Sequence, residues 1–260
     1  MNHTTCIREK WSKGQLCVGT QITLAEATVS ELYGEAGFDF VWIDMEHSAM
    51  TIVDAAAHVR AARASGTAAW IRVPSDDPVV VKPILELHPS AVIVPRIDSV
   101  ERAESAVRSC RYPPRGIRGY GPTRGVRYGL LPFEDYLAQV DEEMMVIIQI
   151  EHIEAIKDID NVVSVPGVDS ITVGPFDLSL SMNLPGQFSH PDVIGAIETI
   201  FRAGIKKNIP VGNSMGFDPV MVKKWIDLGL SWLSCGDDWE ILMENSKKML
   251  DEIREIATQE

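Results

Sequence analysis

Eight short strand-like runs alternate with helical stretches along the chain, and this alternation limits the possible folds more than any other feature. The runs lie at residues 17–22, 38–45, 68–73, 91–97, 144–150, 170–174, 210–215 and 231–236. The clearest helical stretches lie at 24–37, 51–66, 99–110, 190–208, 218–229 and 238–257. Because continuous apolar runs are typical of strands buried on both faces of a parallel sheet, the pattern predicts an α/β fold, a TIM (β/α)8 barrel. A doubly wound open sheet is the alternative, but no GxGxxG follows the first strand.

The length and composition fit one large domain. The chain has 260 residues, 45% of them hydrophobic, and no Pro/Gly/Ser-rich linker divides it, so we predict a single barrel domain over residues 1–260. The formal net charge of −13 argues against a nucleic-acid partner, since phosphate binding requires a basic face. No apolar signal core or membrane-spanning run of ~20 residues is present. With four scattered cysteines and no CxxC pair, we predict a cytoplasmic protein with reduced thiols and no membrane contact.

Two of the apolar runs are followed by an acidic residue. Glu151 comes directly after the run at 144–150, and Asp177 follows the run at 170–174. The carboxyl ends of the strands form the edge at which barrels and open α/β sheets carry their sites. The two carboxylates should therefore lie close together and could bind a divalent cation through oxygen. Alternatively, Glu151 caps the next helix and Asp177 caps a turn.

Further polar residues follow the ends of other strands. His47 is the natural acid–base candidate because its side chain titrates near neutral pH, and Asp44 or Glu46 could orient it; a loop histidine without a role is the alternative. Arg72 interrupts an apolar strand, where a guanidinium is costly unless it is paired. It could form a salt bridge with Asp44 or Glu46, or bind a substrate oxygen with its planar fork. The fifth and seventh strands end near Gln149 and Ser214.

The segment 111–129 is a long loop with five arginines among many glycines. It exceeds the usual length of a connection between a strand and a helix. Two interpretations fit this composition: a solvated basic loop, and a mobile element that attracts anions or shapes the entrance to the site.

The positions of the lysines bear on the chemistry. A Schiff-base aldolase requires a lysine that projects from a strand into the barrel. No lysine falls at the end of a predicted strand. Carbanion chemistry at this site would therefore need a metal ion to accept the developing charge.

Five segments closely resemble one family of enzymes. They are GFDFVWIDMEHSAM (37–50), WIRVPSDDP (70–78), RYPPRGIRGYGPTR (111–124), IIQIEHIEAI (147–156) and VDSITVGPFDLS (168–179). In this order they resemble the metal-dependent class II pyruvate aldolases of the HpcH/HpaI family, which includes 4-hydroxy-2-oxoheptane-1,7-dioate aldolase and 2-dehydro-3-deoxyglucarate aldolase. The resemblance extends over nearly the whole chain.

The resemblance implies a TIM barrel that binds Mg²⁺, Mn²⁺ or Co²⁺ through Glu151 and Asp177. Pyruvate would chelate this ion through its keto and carboxylate oxygens. Arg72 would stabilise the enolate oxygen, and His47, paired with Asp44, would be the base. The implied substrate-binding residues are Gln149, Gly174, Pro175, Phe176 and Ser214.

The resemblance also implies an assembly. The family is typically hexameric, a trimer of dimers in which the last helix is exchanged between partners. Relatives often carry Asp at the position of Glu86 and use that acid across a subunit boundary.

Three functions are compatible with these residues. The first is cleavage of a 4-hydroxy-2-oxo acid, a small-molecule 2-oxo acid substrate, to pyruvate and an aldehyde by a carbon–carbon lyase. The second is decarboxylation of oxaloacetate, or another reaction of the same family that forms the pyruvate enolate. The third is a barrel without turnover that senses small acids, against which the intact set of His47, Arg72, Glu151 and Asp177 argues.

Overall fold

The computed structural model describes residues 3–258 and contains the predicted closed barrel of eight parallel strands. The strands are β1 (Cys17–Ile22), β2 (Phe40–Asp44), β3 (Ala68–Arg72), β4 (Ala91–Val94), β5 (Met145–Ile150), β6 (Ser170–Val173), β7 (Val211–Met215) and β8 (Trp232–Asp237). Each strand pairs with the next, and β8 closes on β1. The predicted TIM barrel is thus confirmed. Residues 1–2 and 259–260, at the ends of the predicted single domain, lie outside the described range, and that domain assignment stays a prediction.

Helices connect the strands around the outside of the barrel. They are α1 (Thr4–Ser12), α2 (Thr28–Glu35), α3 (Ile52–Ala64), α4 (Pro78–Leu85), α5 (Val100–Cys110), α6 (Phe133–Glu143), α7 (Ile153–Ile156), α8 (Ile159–Val162), α9 (Pro175–Ser181), α10 (Pro191–Lys206), α11 (Pro219–Leu228) and α12 (Asp238–Thr258). The clearest helical stretches of the sequence include neither α6, which runs almost directly into β5 without the glycine that ends several other helices, nor the shorter helices α1, α4, α7, α8 and α9. Within residues 3–258, none of the helices combines the length and apolar content that a membrane crossing needs.

The helix predicted at 24–37 begins later, at Thr28. The carboxylate of Asp238 accepts hydrogen bonds from the backbone N–H groups of Thr23 and Leu24, at 3.0 and 2.9 Å. Because these two amides bond to Asp238, the first residues of the predicted helix form part of a loop that joins β1 to the start of α12.

Side-chain alternation along the strands fills the barrel with large apolar groups and places polar ones at one end. The interior cluster contains Phe40, Trp42, Ala68, Trp70, Met145 and Ile147. Since alternate residues of a strand share a face, the next inward positions of β2, β3 and β5 are Asp44, Arg72 and Gln149. Asp44 and Arg72 are direct neighbours in the β2–β3 register. The strand period therefore carries these three polar side chains to the carboxyl end of the barrel interior.

Candidate active site at the carboxyl end of the barrel

The site residues predicted from the sequence line two adjoining cavities at this end of the barrel. The first, of about 460 Å³, is lined by Asp44, His47, Arg72, Gln149, Gly174, Pro175, Phe176, Asp177 and Ser214, among others. The second, of about 520 Å³, has Glu46, His47, Arg96, Glu151 and Asp177 in its lining. His47 and Asp177 belong to both cavities. The fold thus brings every predicted site residue to one cleft.

Arg72 and Asp44 form a buried ion pair. The guanidinium donates from Nε and Nη2 to the two oxygens of Asp44, at 2.9 and 2.5 Å. Asp44 has 0% exposure and Arg72 6%, and Arg72 also lies over the ring of Trp42 at 5.2 Å. Among the described residues, Nη1 of Arg72 has no hydrogen-bond partner, although Arg72 lines the first cavity. The Nη1 amino group of the fork is therefore available to a substrate oxygen.

Asp44 accepts other hydrogen bonds besides those from Arg72. Gln21 donates from Nε2 at 2.9 Å, and the backbone N–H groups of Glu46 and His47 donate at 2.9 and 3.3 Å. Burial raises the pKa of Asp44, but the hydrogen bond and charge of Arg72, together with these amides, outweigh burial and hold the pKa below its ordinary value. Asp44 is thus kept ionised where a buried carboxyl would otherwise be protonated.

The imidazole of His47 lies at the junction of the two cavities and is largely exposed to solvent. Its Nε2 is 3.6 Å from Oε2 of Glu46. The expected pairing of His47 with Asp44 is made through the backbone N–H of His47; within the described part of the chain the imidazole makes no hydrogen bond to Asp44. Glu46, rather than Asp44, is the carboxylate adjacent to the ring in this structure.

Glu151 is held by three neighbours. Gln149 donates from Nε2 to Oε2 of Glu151, and the backbone N–H of Arg96 donates to Oε1 at 2.6 Å. Gly174 passes so close that an added Cβ would lie 2.3 Å from Oε2 of Glu151 and 2.8 Å from Nε2 of Gln149. Only glycine, which has no side chain, permits this approach.

Burial raises the pKa of Glu151 to about 7, against the hydrogen bonds from Gln149 and the Arg96 amide, while the charges of Asp177 and Glu46 raise it further. Burial likewise raises the pKa of Glu46 to about 6, with the charges of Arg72 and Arg96 opposing it and those of Asp44 and Asp177 adding to it. The carboxyl groups of Glu46, Glu151 and Asp177 therefore lie close enough to repel one another when they are ionised. A cation between them would relieve this repulsion.

These oxygens are suitable for a hard divalent cation. Glu46 Oε2 and Gln149 Oε1 are buried and have no hydrogen-bond partner among residues 3–258. No group of three or more His, Cys, Asp or Glu side chains within residues 3–258 forms a ready metal cluster. Glu151 and Asp177 would thus supply two ligands and leave the other positions to water or substrate, as is common for Mg²⁺. The residues present fit such an ion.

The first turn of α9 provides hydrogen-bond donors on the same side of the cleft. Gly174 is the N-cap of α9 and makes no side-chain cap hydrogen bond, and Pro175 occupies the first turn. In the described structure the backbone N–H groups of Phe176 and Asp177 have no partner, and the side chain of Phe176 is exposed beside Phe188. Free N–H groups at a helix start favour an anion such as a carboxylate.

The sequence analysis did not identify two polar residues of the cleft, Gln21 and Arg96. Ser214 lies 3.4 Å from Oε1 of Gln21, so Gln21 connects β7 with the Arg72–Asp44 pair. Gln21 is the next-to-last residue of β1, and Arg96 interrupts the apolar run at 91–97, as Arg72 interrupts its own strand. Both could have been found by the signals that identified Gln149 and Arg72.

The arginine-rich loop 111–129 is not part of the lining of either cavity. Arg118 is buried, with its Nη2 3.2 Å from Oε1 of Glu86. Arg111 is also buried and lies 2.9 Å from Asp169, and Arg115 pairs with Asp141 at 2.9 Å. Within this chain, three of the five arginines therefore attach the loop to the barrel.

Comparisons with known proteins agree with this fold. Residues 19–244 match the model of the HpcH/HpaI aldolase/citrate lyase family. A 5-keto-4-deoxy-D-glucarate aldolase from Klebsiella pneumoniae subsp. pneumoniae is 31% identical over 238 residues, 91% of this chain and 92% of that protein. A hydroxypyruvate/pyruvate aldolase from Roseobacter denitrificans is 31% identical over 245 residues, 93% of this chain and 94% of that protein.

A solved structure gives the same result. The crystal structure of an HpcH/HpaI aldolase from Desulfitobacterium hafniense DCB-2 superposes with a TM-score of 0.89 at 29% sequence identity, covering 95% of this chain and 96% of that one. Sequence and structure agree over almost the full length of both proteins. The chain therefore belongs to the HpcH/HpaI aldolase/citrate lyase family.

Proposed function

We propose that this chain is a divalent-metal-dependent class II aldolase, a carbon–carbon lyase that reversibly cleaves a 4-hydroxy-2-oxo acid into pyruvate and an aldehyde. The observation that carries the proposal is the arrangement of Glu151 and Asp177 beside the fork of Arg72 and the free amides of α9 in one cleft. The aldolase names of two relatives that share 31% of their residues with this chain support it. The alternative, an oxaloacetate decarboxylase, is not favoured because both of these relatives are aldolases.

Divalent-metal dependence is general in this family. Glu151 and Asp177 would hold the ion, which we expect to be Mg²⁺, Mn²⁺ or Co²⁺. When bound, the cation supplies positive charge that stabilises the enolate of pyruvate. The raised pKa of Glu151 supports this assignment, because an ionised carboxylate in that position is stable only beside a compensating charge.

The 2-oxo acid end of the substrate would bind between β3 and α9. Its carboxylate would accept hydrogen bonds from the backbone N–H groups of Phe176 and Asp177, beside Gly174 and Pro175. Nη1 of Arg72 would donate to the oxygen on which negative charge develops, and such a bond acts mainly in the transition state. Gln149 would hold Glu151 with its amide nitrogen and contact the 2-oxo acid with its amide oxygen. Ser214 would lie near the aldehyde half.

Proton transfer is assigned to His47. In the cleavage direction a base takes the proton of the 4-hydroxyl group, the C3–C4 bond breaks, and C3 of the resulting pyruvate enolate takes up a proton. His47 lines both cavities, and histidine is the side chain most often used in general acid–base catalysis. Asp44 would act on it through the backbone N–H of His47, and Glu46 lies close enough to orient the ring.

The aldolase proposal is tested by pyruvate release from a panel of 4-hydroxy-2-oxo acids and from oxaloacetate, each with and without a chelator. We expect release from at least one hydroxy-oxo acid, lost on chelation and restored by Mn²⁺ or Mg²⁺. Release from oxaloacetate alone would support the decarboxylase alternative instead. No release from any substrate with metal present would refute both activities.

The role of His47 is tested by His47→Ala. We expect this variant to lose both aldol cleavage and exchange of the pyruvate methyl protons with deuterated water, measured by NMR. Oxaloacetate decarboxylation should survive better, because loss of carbon dioxide gives the enolate without an initial proton abstraction. If exchange continues at the wild-type rate, His47 is not the base and Glu46 becomes the leading candidate.

We further infer that the protein is a homo-oligomer, a trimer of dimers in which α12 is exchanged between partners. The exposed apolar side chains of α12 support this, because a patch of this kind is uncommon on a monomer surface; they are Trp239, Leu242, Met243, Met249, Leu250, Ile253 and Ile256. Light scattering should give the mass of a hexamer. A monomeric mass at micromolar concentration would contradict the inference.

A further inference from the structure

A third cavity, of about 620 Å³, adjoins the first at the rim of the barrel. The two share part of their lining, including Pro175, Phe176, Ser214, Met215, Gly236 and Glu240. Within residues 3–258, the linings of the second and third cavities have no residue in common. A ligand whose 2-oxo acid end lies in the first cavity can therefore extend past Ser214 into the third.

The third cavity lies between the barrel wall and the helices that cover it. A Cβ on Gly212 would meet Trp232 of the interior cluster, so Gly212 faces inward and the next residue of β7, Asn213, faces outward. Much of the lining is apolar and comes from three helices and from β7, and it includes Phe176, Phe188, Ile197, Met215, Met221 and Trp225. An apolar lining of this kind favours an apolar ligand group.

Asn213 contributes a buried acceptor to this lining. Its side chain is 1% exposed, and within residues 3–258 its Oδ1 accepts no hydrogen bond. Its Nδ2 lies 3.8 Å from Sδ of Met215, and a thioether is a weak acceptor. Because a buried amide oxygen without a donor costs free energy, this position favours a ligand that brings an O–H or N–H group.

The charged side chains of the lining exclude an anionic ligand. They are Asp218, Glu240 and Glu244, and no lysine, arginine or histidine of the described chain lines this cavity. Asp218 caps α11 by accepting hydrogen bonds from the backbone N–H groups of Val220 and Met221. A ligand carboxylate would therefore meet like charges and no counter-charge, which is unfavourable away from bulk water.

We propose that the third cavity binds the acceptor aldehyde and selects an uncharged, apolar fragment that carries a hydrogen-bond donor for Oδ1 of Asn213. This inference rests on the proposed aldolase function for the reaction in which the aldehyde takes part. The aldehyde carbon lies near Ser214, and the body of the fragment packs against Phe176 and Met215. Asn213 is then a specificity-determining residue outside the metal site.

The experiment compares three aldehydes that differ only in their para substituent. In 4-(hydroxymethyl)benzaldehyde the substituent is a neutral donor, in 4-methylbenzaldehyde it has no donor, and in 4-carboxybenzaldehyde it is an anion. The readout is kcat/KM for addition of each aldehyde to pyruvate. We expect the wild type to favour the hydroxymethyl over the methyl compound about 3–10-fold, as for a neutral hydrogen bond. The carboxyl compound should be at least about tenfold worse than either, because it meets like charge.

Two kinds of variant test the assignment. Asn213→Leu removes the acceptor at similar volume and should bring the ratio of the hydroxymethyl to the methyl compound to about one, since the hydrogen bond is lost; Asn213→Ala serves the same purpose if the leucine variant fails to fold. Met221→Trp fills the third cavity and should lower kcat/KM for the methyl and hydroxymethyl compounds. Leu180→Trp is the matched control, because Leu180 lines the second cavity alone, and it should leave both values unchanged.

Two results would overturn the proposal. One is a wild type that prefers the carboxyl compound, or a preference for the hydroxymethyl compound that persists in Asn213→Leu. The other is a changed mass of Met221→Trp in light scattering with unchanged selection among the aldehydes, which would assign the cavity to a contact between subunits.

A binding measurement separates this proposal from the aldolase function. Ligand-detected NMR titration of the metal-loaded protein with each aldehyde requires no turnover. Tighter binding of the hydroxymethyl compound that is lost in Asn213→Leu would support the role of Asn213 even if no aldol product formed. Equal binding of all three aldehydes, alongside normal release of pyruvate from a hydroxy-oxo acid, would refute this subsite and leave the aldolase function intact.

Discussion

Replacing Arg72 should affect stability and turnover together, because its fork bonds to a fully buried carboxylate. In Arg72→Met, Asp44 keeps the hydrogen bonds from Gln21 and the two backbone amides but loses the one cation that pairs with it in the described part of the chain. Removing one partner of a buried ion pair costs about 3–5 kcal/mol of unfolding free energy. For a chain of this length that corresponds to a fall in melting temperature of roughly 6–20 °C.

The loss should depend on pH with a defined sign. In the wild type, Arg72 keeps the pKa of Asp44 below its ordinary value, so this contribution to stability is present above the pKa of the unfolded chain and is lost as pH falls through the folded pKa. Without Arg72, burial dominates and the folded pKa of Asp44 rises. The deficit of Arg72→Met should therefore be largest near neutral pH and shrink as pH falls below about 4, the ordinary pKa of Asp.

Urea denaturation at several pH values measures the effect, and a double-mutant cycle with Asp44→Asn isolates the pair. The double variant should be less destabilised than the sum of the singles. Arg202→Met is the control, because its pair with Glu198 at 3.5 Å is exposed and should contribute at most about 0.5 kcal/mol. Turnover of folded Arg72→Met should fall on the order of 10²–10³-fold, as for oxyanion donors. Wild-type stability at pH 7 together with wild-type turnover would refute both roles.

Three further predictions concern the metal site. Glu151→Gln and Asp177→Asn should each weaken Mn²⁺ binding in calorimetric titration, and undiminished affinity in both would exclude them as ligands. Because burial raises the pKa of Glu151 to about 7, the metal-free protein should lose stability as pH rises from about 4.5 to 7, and Mg²⁺ should raise the melting temperature more at pH 8 than at pH 5. Gly174→Ala should lower Mn²⁺ affinity about 10–100-fold by displacing Glu151, whereas Gly195→Ala, whose added Cβ meets no atom within 4 Å, should not.

The barrel was predictable because its strands carry the signal locally. Several of the eight runs, such as those at 91–97 and 144–150, are largely apolar over consecutive residues, as expected for strands covered on both faces, and the strand ends then indicated that Asp44, Arg72 and Gln149 lie at the same end of the barrel. The start of α2 was predicted wrongly because its position depends on Asp238, which is distant in sequence and accepts hydrogen bonds from Thr23 and Leu24. Hydrogen bonds between residues so far apart in sequence do not change the local helix propensity from which the start of the helix was predicted.

The pairing of side chains at the site could not be predicted from the sequence for a similar reason, because it depends on contacts between strands. Which residues reach the cleft follows from strand ends, but which of them pair follows from side-chain geometry across strands. Asp44 could have oriented His47 or bonded to Arg72, and its place opposite Arg72 in the β2–β3 register decides for Arg72.

The backbone conformation of Arg96, with φ of 61°, is a second feature of the site that could not be predicted from the sequence. Nothing in its sequence context indicates a left-handed residue, and its conformation follows from the hydrogen bond that its N–H gives Glu151. Its side chain lines the second cavity with Glu46, Glu151 and Asp177 and forms no ion pair within residues 3–258. Of the cleft arginines, Arg72 is bonded to Asp44 and Arg102 to Asp76. The sequence therefore indicates that Arg96 follows a strand end, whereas only the fold shows that its backbone N–H holds Glu151 in place.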